Sequence, residues 1–238
     1  LVLAYINMIN MKQKLLFIFA LLCAVAQGVQ AKNTVHNLSE LTYSGGTMVL
    51  VAEDGDELTG SIRIDKDHRI KWEIADGASI TLNNVNIEGT LDYIDLYYDD
   101  TQFYSDFAGI TCLGNATITL VGENKVKGGG PYNPGIQPGP EGTTLTIKGT
   151  GSLYADCCGC GPGIGSKAFY EKCGNISIEG GTITAIGWTD GQQGSAGIGA
   201  GYETSCGDIT FKNCTVEARG GYHSAGIGKS SKYNSPSN

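Results

Sequence analysis

Apolar and polar residues alternate over short stretches that recur along most of the chain. Ile176 and Ile178 share one face while Ser177 points the other way, and the stretch 182–186 repeats the pattern. Alternation with a period of two over about three to five residues predicts short strands and does not fit a helix. The hydrophobic pattern therefore predicts an all-β chain.

The short strands recur in three phased series. The first is marked by Gly-Ile pairs whose isoleucines are 26, 28, 34 and 29 residues apart, namely Ile110, Ile136, Ile164, Ile198 and Ile227. The second reads ITL (80–82), ITL (118–120), LTI (145–147), ISI (176–178) and ITF (209–211). The third reads VKG (126–128), LYA (153–155), ITA (183–185) and VEA (216–218). Three series at a common period of about 30 residues indicate a repeat architecture.

We predict a right-handed parallel β-helix, a solenoid of coils of about 30 residues each. About six apolar side chains per coil, at ~1.5–3 kcal/mol each, cannot offset the entropy of ordering that many residues. A coil is therefore stable only when its neighbours stack on it. Glycine, with 36 of 238 residues, suits the tight corners of such a coil. The alternative, a β-sandwich, predicts no phase relation among the strands.

The N-terminal 31 residues are predicted to be a secretory signal. MKQK (11–14) supplies a basic start, LLFIFALLCAVA (15–26) an apolar core, and VQA (29–31) the small residues of a cleavage site after Ala31. The apolar run is shorter than the ~18–20 residues that span a membrane, so we expect no membrane span after its removal. Residues 1–10 are interpreted as upstream translation. These features predict an exported protein, extracellular or at the cell surface.

The rest of the chain divides into three predicted segments. Residues 32–75 are expected to form an N-terminal cap and first coil, and residues 76–228 the β-helix repeats. Residues 229–238 are expected to be either the start of a further coil in a longer protein or a polar tail.

The charge balance limits the partners. The chain has 16 basic and 24 acidic residues, and removal of residues 1–31 takes two lysines and no acid, which leaves a net charge of −10. Such an acidic chain is not expected to bind nucleic acid or an anionic membrane. Neutral glycans and divalent cations remain compatible with it.

Two stretches carry a resemblance to known proteins. CGNISIEGGTITAIG (173–187) and the related stretch that starts at Cys206 each lead into AGIG. These stretches resemble repetitive extracellular proteins of bacteria that are similar to the pectin-lyase-like β-helix superfamily. The resemblance implies a parallel β-helix and a carbohydrate-binding or adhesin-like role. It does not decide function, because this superfamily contains lyases, hydrolases, binding proteins and passive stalks.

The sequence favours a protein that is not an enzyme. Polysaccharide hydrolases of the superfamily that this chain resembles have clustered Asp residues and a Gly-His-Gly motif. The three histidines, His36, His68 and His223, lie in no such motif. No acid and base pair with the spacing needed for glycoside hydrolysis is recognisable.

The longest insertion, residues 91–109, is rich in aromatic and acidic residues. Aromatic faces beside carboxylates suit sugar rings, so we expect a glycan to contact Tyr97, Tyr98, Asp99, Asp100 and Tyr104. Carboxylates are also calcium ligands, and the weak calcium candidates are Asp95, Asp99 and Asp100. The third interpretation is a solvated loop that covers the solenoid. Apart from this calcium, no cofactor is expected.

Seven cysteines follow the predicted signal, and export favours their oxidation. Cys173 and Cys206 each lie three residues before a strand of the second series, so stacked coils would bring them within disulfide range. Cys157 and Cys160 are further disulfide candidates, with half of a zinc site as the alternative reading.

Outward-facing hydroxyls form a predicted column, Thr81, Thr119, Thr146, Ser177 and Thr210. A five-hydroxyl column resembles an ice-binding face, but the strand preference of β-branched residues explains it more simply.

Three functions remain open at this stage. The favoured one is a secreted or surface-exposed, non-catalytic binding and adhesion module, with a glycan or a host or cell-surface polysaccharide as partner. The alternatives are a polysaccharide lyase or glycoside hydrolase of the β-helix type, and a passive structural stalk of a longer surface protein.

Overall fold

The described part of the chain is built almost entirely of short strands. The structure, a computed structural model, describes residues 33–90, 107–169, 172–188 and 194–230. In chain order the strands are β1 Val35–Asn37, β2 Thr47–Ala52, β3 Glu57–Ile64, β4 Arg69–Ile74, β5 Ser79–Gly89, β6 Ile110–Cys112, β7 Ala116–Val121, β8 Glu123–Lys127, β9 Ile136–Gln137, β10 Thr144–Gly149, β11 Ser152–Asp156, β12 Ile164–Gly165, β13 Asn175–Ile178, β14 Thr182–Ile186, β15 Ile198–Gly199, β16 Ile209–Phe211, β17 Thr215–Arg219 and β18 Ile227–Gly228. One turn of 3-10 helix, Leu38–Glu40, follows β1.

The strands form two sheets, and every pair of neighbouring strands within each sheet is parallel. One sheet runs β16-β13-β10-β7-β5-β8-β11-β14-β17, with β3 also paired to β5 and β1 to β3. The other runs β18-β15-β12-β9-β6-β4-β2. The long strand β5 pairs with β7 through its first half and with β8 through its second half. The first sheet therefore bends at a corner into two faces, and each coil visits three faces in turn.

We name these faces by the order in which a coil visits the first sheet. The first face contains β1, the first halves of β3 and β5, and then β7, β10, β13 and β16. The second face contains the second halves of β3 and β5, and then β8, β11, β14 and β17. The third face is the seven-stranded sheet. The chain is a parallel β-helix, as the repeats predict.

The isoleucines of the Gly-Ile pairs stack in register on the third face. The register pairs Ile110 with Ile136, then Ile164, Ile198 and Ile227. The first four are completely buried, whereas Ile227, in the last described coil, is 45% exposed. An isoleucine at this position is therefore buried by a coil on each side of it. This is the interior that no single coil could form alone.

The corner between the first and second faces requires an unusual backbone. The residues there with positive φ are Gly60, Asn84, Gly122, Gly149, Gly181 and Asn213. Glycine and asparagine adopt this left-handed conformation more readily than other residues. The side chain of Asn84 adds a link between coils, because its Oδ1 accepts a hydrogen bond of 3.1 Å from the backbone N–H of Glu123.

A buried asparagine joins three successive coils just beyond this corner. Asn124 Oδ1 accepts from the Val85 N–H at 3.0 Å, and its Nδ2 donates to the carbonyls of Val121 and Ser152 at 3.1 Å each. Asn124 is 4% exposed, and these bonds satisfy a polar side chain that would be costly to bury unpaired.

The predicted hydroxyl column is wrong at two positions. Thr119 pairs with Lys148, and Thr146 pairs with Thr117. The column that the fold forms is Ser79, Thr117, Thr146, Ser177 and Thr210. The third series shows the same two-residue offset, because Val126 pairs with Ala155.

The physical reason for the offset is a difference in turn length. Three residues, 113–115, separate β6 from β7, whereas six residues, 138–143, separate β9 from β10. The similar triplets ITL and LTI therefore enter the first face at different positions. Sequence similarity predicted that the two triplets pair with each other, whereas the backbone pairs Ile118 with Ile147 instead of Leu145.

The predicted segments fall on this architecture as follows. Strands β1 to β4 lie within residues 32–75 and pair with one another or with β5 and β6. Residues 1–31, and all of 229–238 beyond Ser230, lie outside the described residues. Within the described ranges, no helix has the length and apolar character to cross a membrane.

Candidate functional site

The site predicted from sequence lies outside the described residues. It comprises Tyr97, Tyr98, Asp99, Asp100 and Tyr104, with Asp95 as a further calcium candidate. The insertion follows Thr90, directly after β5. The glycan and calcium hypotheses for these residues therefore stay predictions.

A groove of about 430 Å³ lies on the second face, beside its corner with the first. We call it the corner groove. It is lined by Asn84, Val85, Asn86, Glu123, Asn124, Lys125, Ser152, Leu153, Tyr154, Thr182 and Thr184. These residues come from β5, β8, β11 and β14, so the corner groove crosses four consecutive coils.

Strand alternation decides which side chains face the corner groove. In β11, Leu153 and Ala155 are buried in the interior, so Tyr154 between them points outward and is 39% exposed. The register places Tyr154 between Lys125 on one side and Thr184 on the other. Asn86 lies beyond Lys125 and completes a row of four outward residues. An aromatic side chain thus lies among amide, ammonium and hydroxyl groups.

A second row lies closer to the corner. The register pairs Glu123 with Ser152, and Ser152 with Thr182. A carboxylate and two hydroxyls therefore line the side of the corner groove next to the first face.

A third row, of charged residues, borders the corner groove on its other side. Glu88 pairs in register with Lys127, and Lys127 with Asp156. Glu88 accepts from Lys125 at 2.6 Å, and Lys127 Nζ lies 3.5 Å from the same carboxylate. Burial by itself would raise the pKa of Glu88, but the hydrogen bond and charge of Lys125, with the charge of Lys127, lower it. Glu88 is thus held ionised and neutralises part of the lysine charge.

Asp156 has the opposite electrostatic environment. Burial raises the pKa of this carboxyl, although the backbone N–H of Cys157 and the charges of Lys127 and Lys125 oppose the change. The hydrogen bond from Cys157 N–H is 2.8 Å long. Two carboxyl groups beside the corner groove therefore have pKa values shifted in opposite directions.

The histidines take no part in the corner groove. His36 Nε2 lies 2.9 Å from Asp56 Oδ2, and His68 Nδ1 lies 3.0 Å from Asp65 Oδ1. Asp56 also accepts from the backbone N–H groups of Thr34 and Glu53. These pairs hold turns near the N-terminal end of the solenoid.

The described residues contain no group of three or more His, Cys, Asp or Glu side chains placed to hold a metal ion. The arrangement in the corner groove instead suits hydrogen bonding and ring packing. Amide and hydroxyl groups both donate and accept, and an exposed tyrosine offers an apolar face with a polar tip.

The structure brings together the two cysteines that the repeats predict to be neighbours. Cys173 and Cys206 form a parallel bridge between consecutive coils, and their Sγ atoms lie 2.8 Å apart. The hydrogen bond to Cys206, together with burial, raises the pKa of the Cys173 thiol. All seven cysteines of the described residues are thiols in this structure.

We expect the protein purified without reductant to contain a Cys173–Cys206 disulfide, because the two sulfurs already touch and air oxidation can then join them. Trypsin releases both residues in one peptide, 173–212, which should be two hydrogens lighter and resist alkylation under denaturing conditions. Cys214, in the next peptide, is the control and should be alkylated. Full alkylation of Cys173 and Cys206 would contradict the prediction.

The other predicted pair behaves differently. Cys157 is buried, and its Sγ donates to the carbonyls of Gly159 and Ile186 at 3.3 and 3.8 Å. Burial raises the pKa of both Cys157 and Cys160. The disulfide and zinc interpretations of Cys157 and Cys160 stay predictions.

The comparisons with known proteins concern the fold. Residues 176–202 match the family model of a β-helix repeat. This segment runs from β13 through β15, which is most of one coil. No curated protein and no solved structure gives a match.

Sequence reasoning missed the corner groove, although one signal for it was visible. The segment LYA (153–155) places Tyr154 on the outer side of a strand whose flanking residues face inward. An exposed tyrosine on a strand of a regular solenoid is a reason to examine its neighbours on adjacent coils.

Proposed function

We propose that this protein is a secreted or surface-exposed, non-catalytic module that binds carbohydrate through the corner groove. The observation that supports this most is Tyr154, exposed on a strand in the middle of a groove whose outward residues are mainly amides and hydroxyls. Sugar C–H faces pack on aromatic rings, while sugar hydroxyls exchange hydrogen bonds with amides, hydroxyls and charged groups.

The solenoid gives such a groove a rigid base. The inward neighbours of Tyr154, Leu153 and Ala155, are at most 1% exposed and lie within the packed core. Strands hold side chains more precisely than loops do, so the polar groups need little rearrangement to meet a ligand. The predicted signal segment, residues 11–31, supports export, and an adhesion role follows from display of the groove outside the cell.

The insertion 91–109 is a second proposed contact. Its Tyr97, Tyr98, Asp99, Asp100 and Tyr104 follow β5, the strand that also contributes Asn86 to the corner groove. A glycan array probed with a Tyr97→Ala/Tyr98→Ala variant tests this contact separately.

We expect a Tyr154→Ala variant to bind glycan about tenfold more weakly than the unaltered protein, since loss of an aromatic contact of ~1.5 kcal/mol corresponds to that factor. Glycan-array hits followed by titration calorimetry provide the measurement. Tyr222→Ala is the matched control, because Tyr222 is 47% exposed but does not line the groove.

Two results would count against this assignment. Equal affinity of the Tyr154→Ala variant and the unaltered protein would remove the groove as the binding site. Absence of any glycan hit would remove the proposed function itself.

One observation favours a hydrolase as the second candidate. Glu88 and Asp156 are two strands apart, about 10 Å between backbones at the usual strand spacing, and their pKa values are shifted in opposite directions. Inverting glycosidases separate their acid and base by roughly 6.5–9.5 Å. Release of new reducing ends from a bound glycan, abolished by Asp156→Asn, would replace the binding proposal with this one.

A further inference from the structure

The outward positions of the corner groove recur once per coil. The row Asn86, Lys125, Tyr154 and Thr184 places one outward side chain on each of four consecutive strands. The row Glu123, Ser152 and Thr182 runs parallel to it on three of them. A ligand that lies along the solenoid axis would therefore meet one outward side chain at each of four steps, and a second polar side chain at three of them.

The step length matches an extended sugar chain. Neighbouring parallel strands are about 4.8 Å apart, which is close to the advance per sugar in an extended 1,4-linked hexose chain. The distance from Asn86 to Thr184 covers three such steps, about 14 Å. Four sugars fit along this row with one sugar on each strand. A globular or branched ligand would not use the repeat.

The charges on the groove favour an uncharged ligand. Glu123 and Lys125 are the two charged residues of the described lining, and they carry opposite signs. Lys125 is already paired with Glu88 at 2.6 Å, and Lys127 lies 3.5 Å from the same carboxylate. A polyanion would have to separate these pairs and approach a chain of formal net charge −8. A neutral polysaccharide does not have to separate these ion pairs, and the net charge of the protein does not repel it.

We propose that the ligand of the corner groove is a linear, uncharged polysaccharide that lies along the solenoid axis, with one sugar per coil over four coils. This inference rests on the proposed function and specifies its substrate class. Tyr154, on the third of the four strands, packs against one sugar ring, and Asn86 and Thr184 contact the sugars at the two ends.

The test is affinity as a function of chain length. Titration calorimetry uses linear neutral probes, cello-oligosaccharides and manno-oligosaccharides of two, three, four and six sugars. Oligogalacturonides of the same lengths form the anionic arm. For at least one neutral series we expect affinity to rise by about fivefold or more for each sugar up to four and to stay level from four to six. Oligogalacturonides should bind at least about tenfold more weakly.

Variants at the ends of the row locate the sugars. Asn86→Ala and Thr184→Ala should each weaken binding of the four-sugar probe and leave the two-sugar probe nearly unchanged, whereas Tyr154→Ala should weaken both. Both end positions face outward, and an unchanged thermal midpoint confirms that each variant is folded.

The outcomes separate this inference from the proposed function. Affinity that does not depend on length, tighter binding of oligogalacturonides, or array hits confined to branched glycans would overturn the axial, uncharged ligand while leaving carbohydrate binding intact. No binding by any probe and no array hit would overturn both.

Discussion

Replacement of Gly165 by alanine is expected to destabilise the protein by about 4 kcal/mol, from positive-φ strain and forced overlap together. Gly165 has φ +151°, and a Cβ built there overlaps the carbonyl oxygen of Gly199 in the next coil. Backbone cannot move away as the tip of a flexible side chain would. The methyl group would therefore push two coils apart along the third face.

The same ladder position offers a matched control. Gly228 pairs with Gly199 in the last described coil, has φ +112°, and has no described heavy atom within 4 Å of its ideal Cβ. Gly228→Ala should cost only the backbone strain, about 1–2 kcal/mol. Urea unfolding followed by circular dichroism measures both changes. Equal losses for the two variants would mean that coil-to-coil contact at this position is not what requires glycine.

Replacement of Ile147 by alanine is the second change with a large expected effect, a loss of about 3–4 kcal/mol. Ile147 is completely buried and lies in register between Ile118 and Ile178 of the adjacent coils. Alanine would leave a cavity on both sides, which the surrounding strands cannot close without losing their hydrogen bonds to neighbouring coils.

Thr146→Ala is the control for this change, since Thr146 precedes Ile147 in β10 but faces outward. We expect it to alter the free energy of unfolding by no more than about 0.5 kcal/mol. The same urea titration serves for both variants. A similar loss at the two positions would be inconsistent with an interior shared between coils.

The phase of the coils could be predicted from sequence because two constraints act on adjacent residues. In each Gly-Ile pair the isoleucine must face the interior and the glycine lies where a Cβ would strike a neighbouring backbone, as at Gly163 and Gly197. Such a pair cannot shift along the chain without losing both fits. The same phase predicted correctly that Cys173 and Cys206 are neighbours on consecutive coils.

The register on the first face could not be predicted in the same way. It depends on how many residues the preceding turn uses, and Thr117 and Thr119 sit in almost identical local sequence. Both alternate correctly with buried neighbours, so periodicity cannot choose between them. Only backbone pairing with Thr146 distinguishes the two.

The corner groove was hidden from sequence reasoning for a related reason. Asn86, Lys125, Tyr154 and Thr184 are separated by 39, 29 and 30 residues and meet only when the register is known. The insertion 91–109, by contrast, gathers its aromatic and acidic residues in one visible stretch. Composition therefore drew attention to the insertion, while the groove required the stacking of coils.

Disulfide trapping between engineered cysteines tests the parallel, in-register stacking of coils most directly. In a Cys112→Ala background, Thr117→Cys combined with Thr146→Cys should cross-link, because paired strands hold their Cα atoms about 4.8 Å apart. Trypsin would then leave peptides 72–125 and 128–148 joined. Thr119→Cys combined with Thr146→Cys, about 8 Å apart, should cross-link far less. Equal trapping of both pairs, or preference for the second, would contradict the stacked β-helix described here.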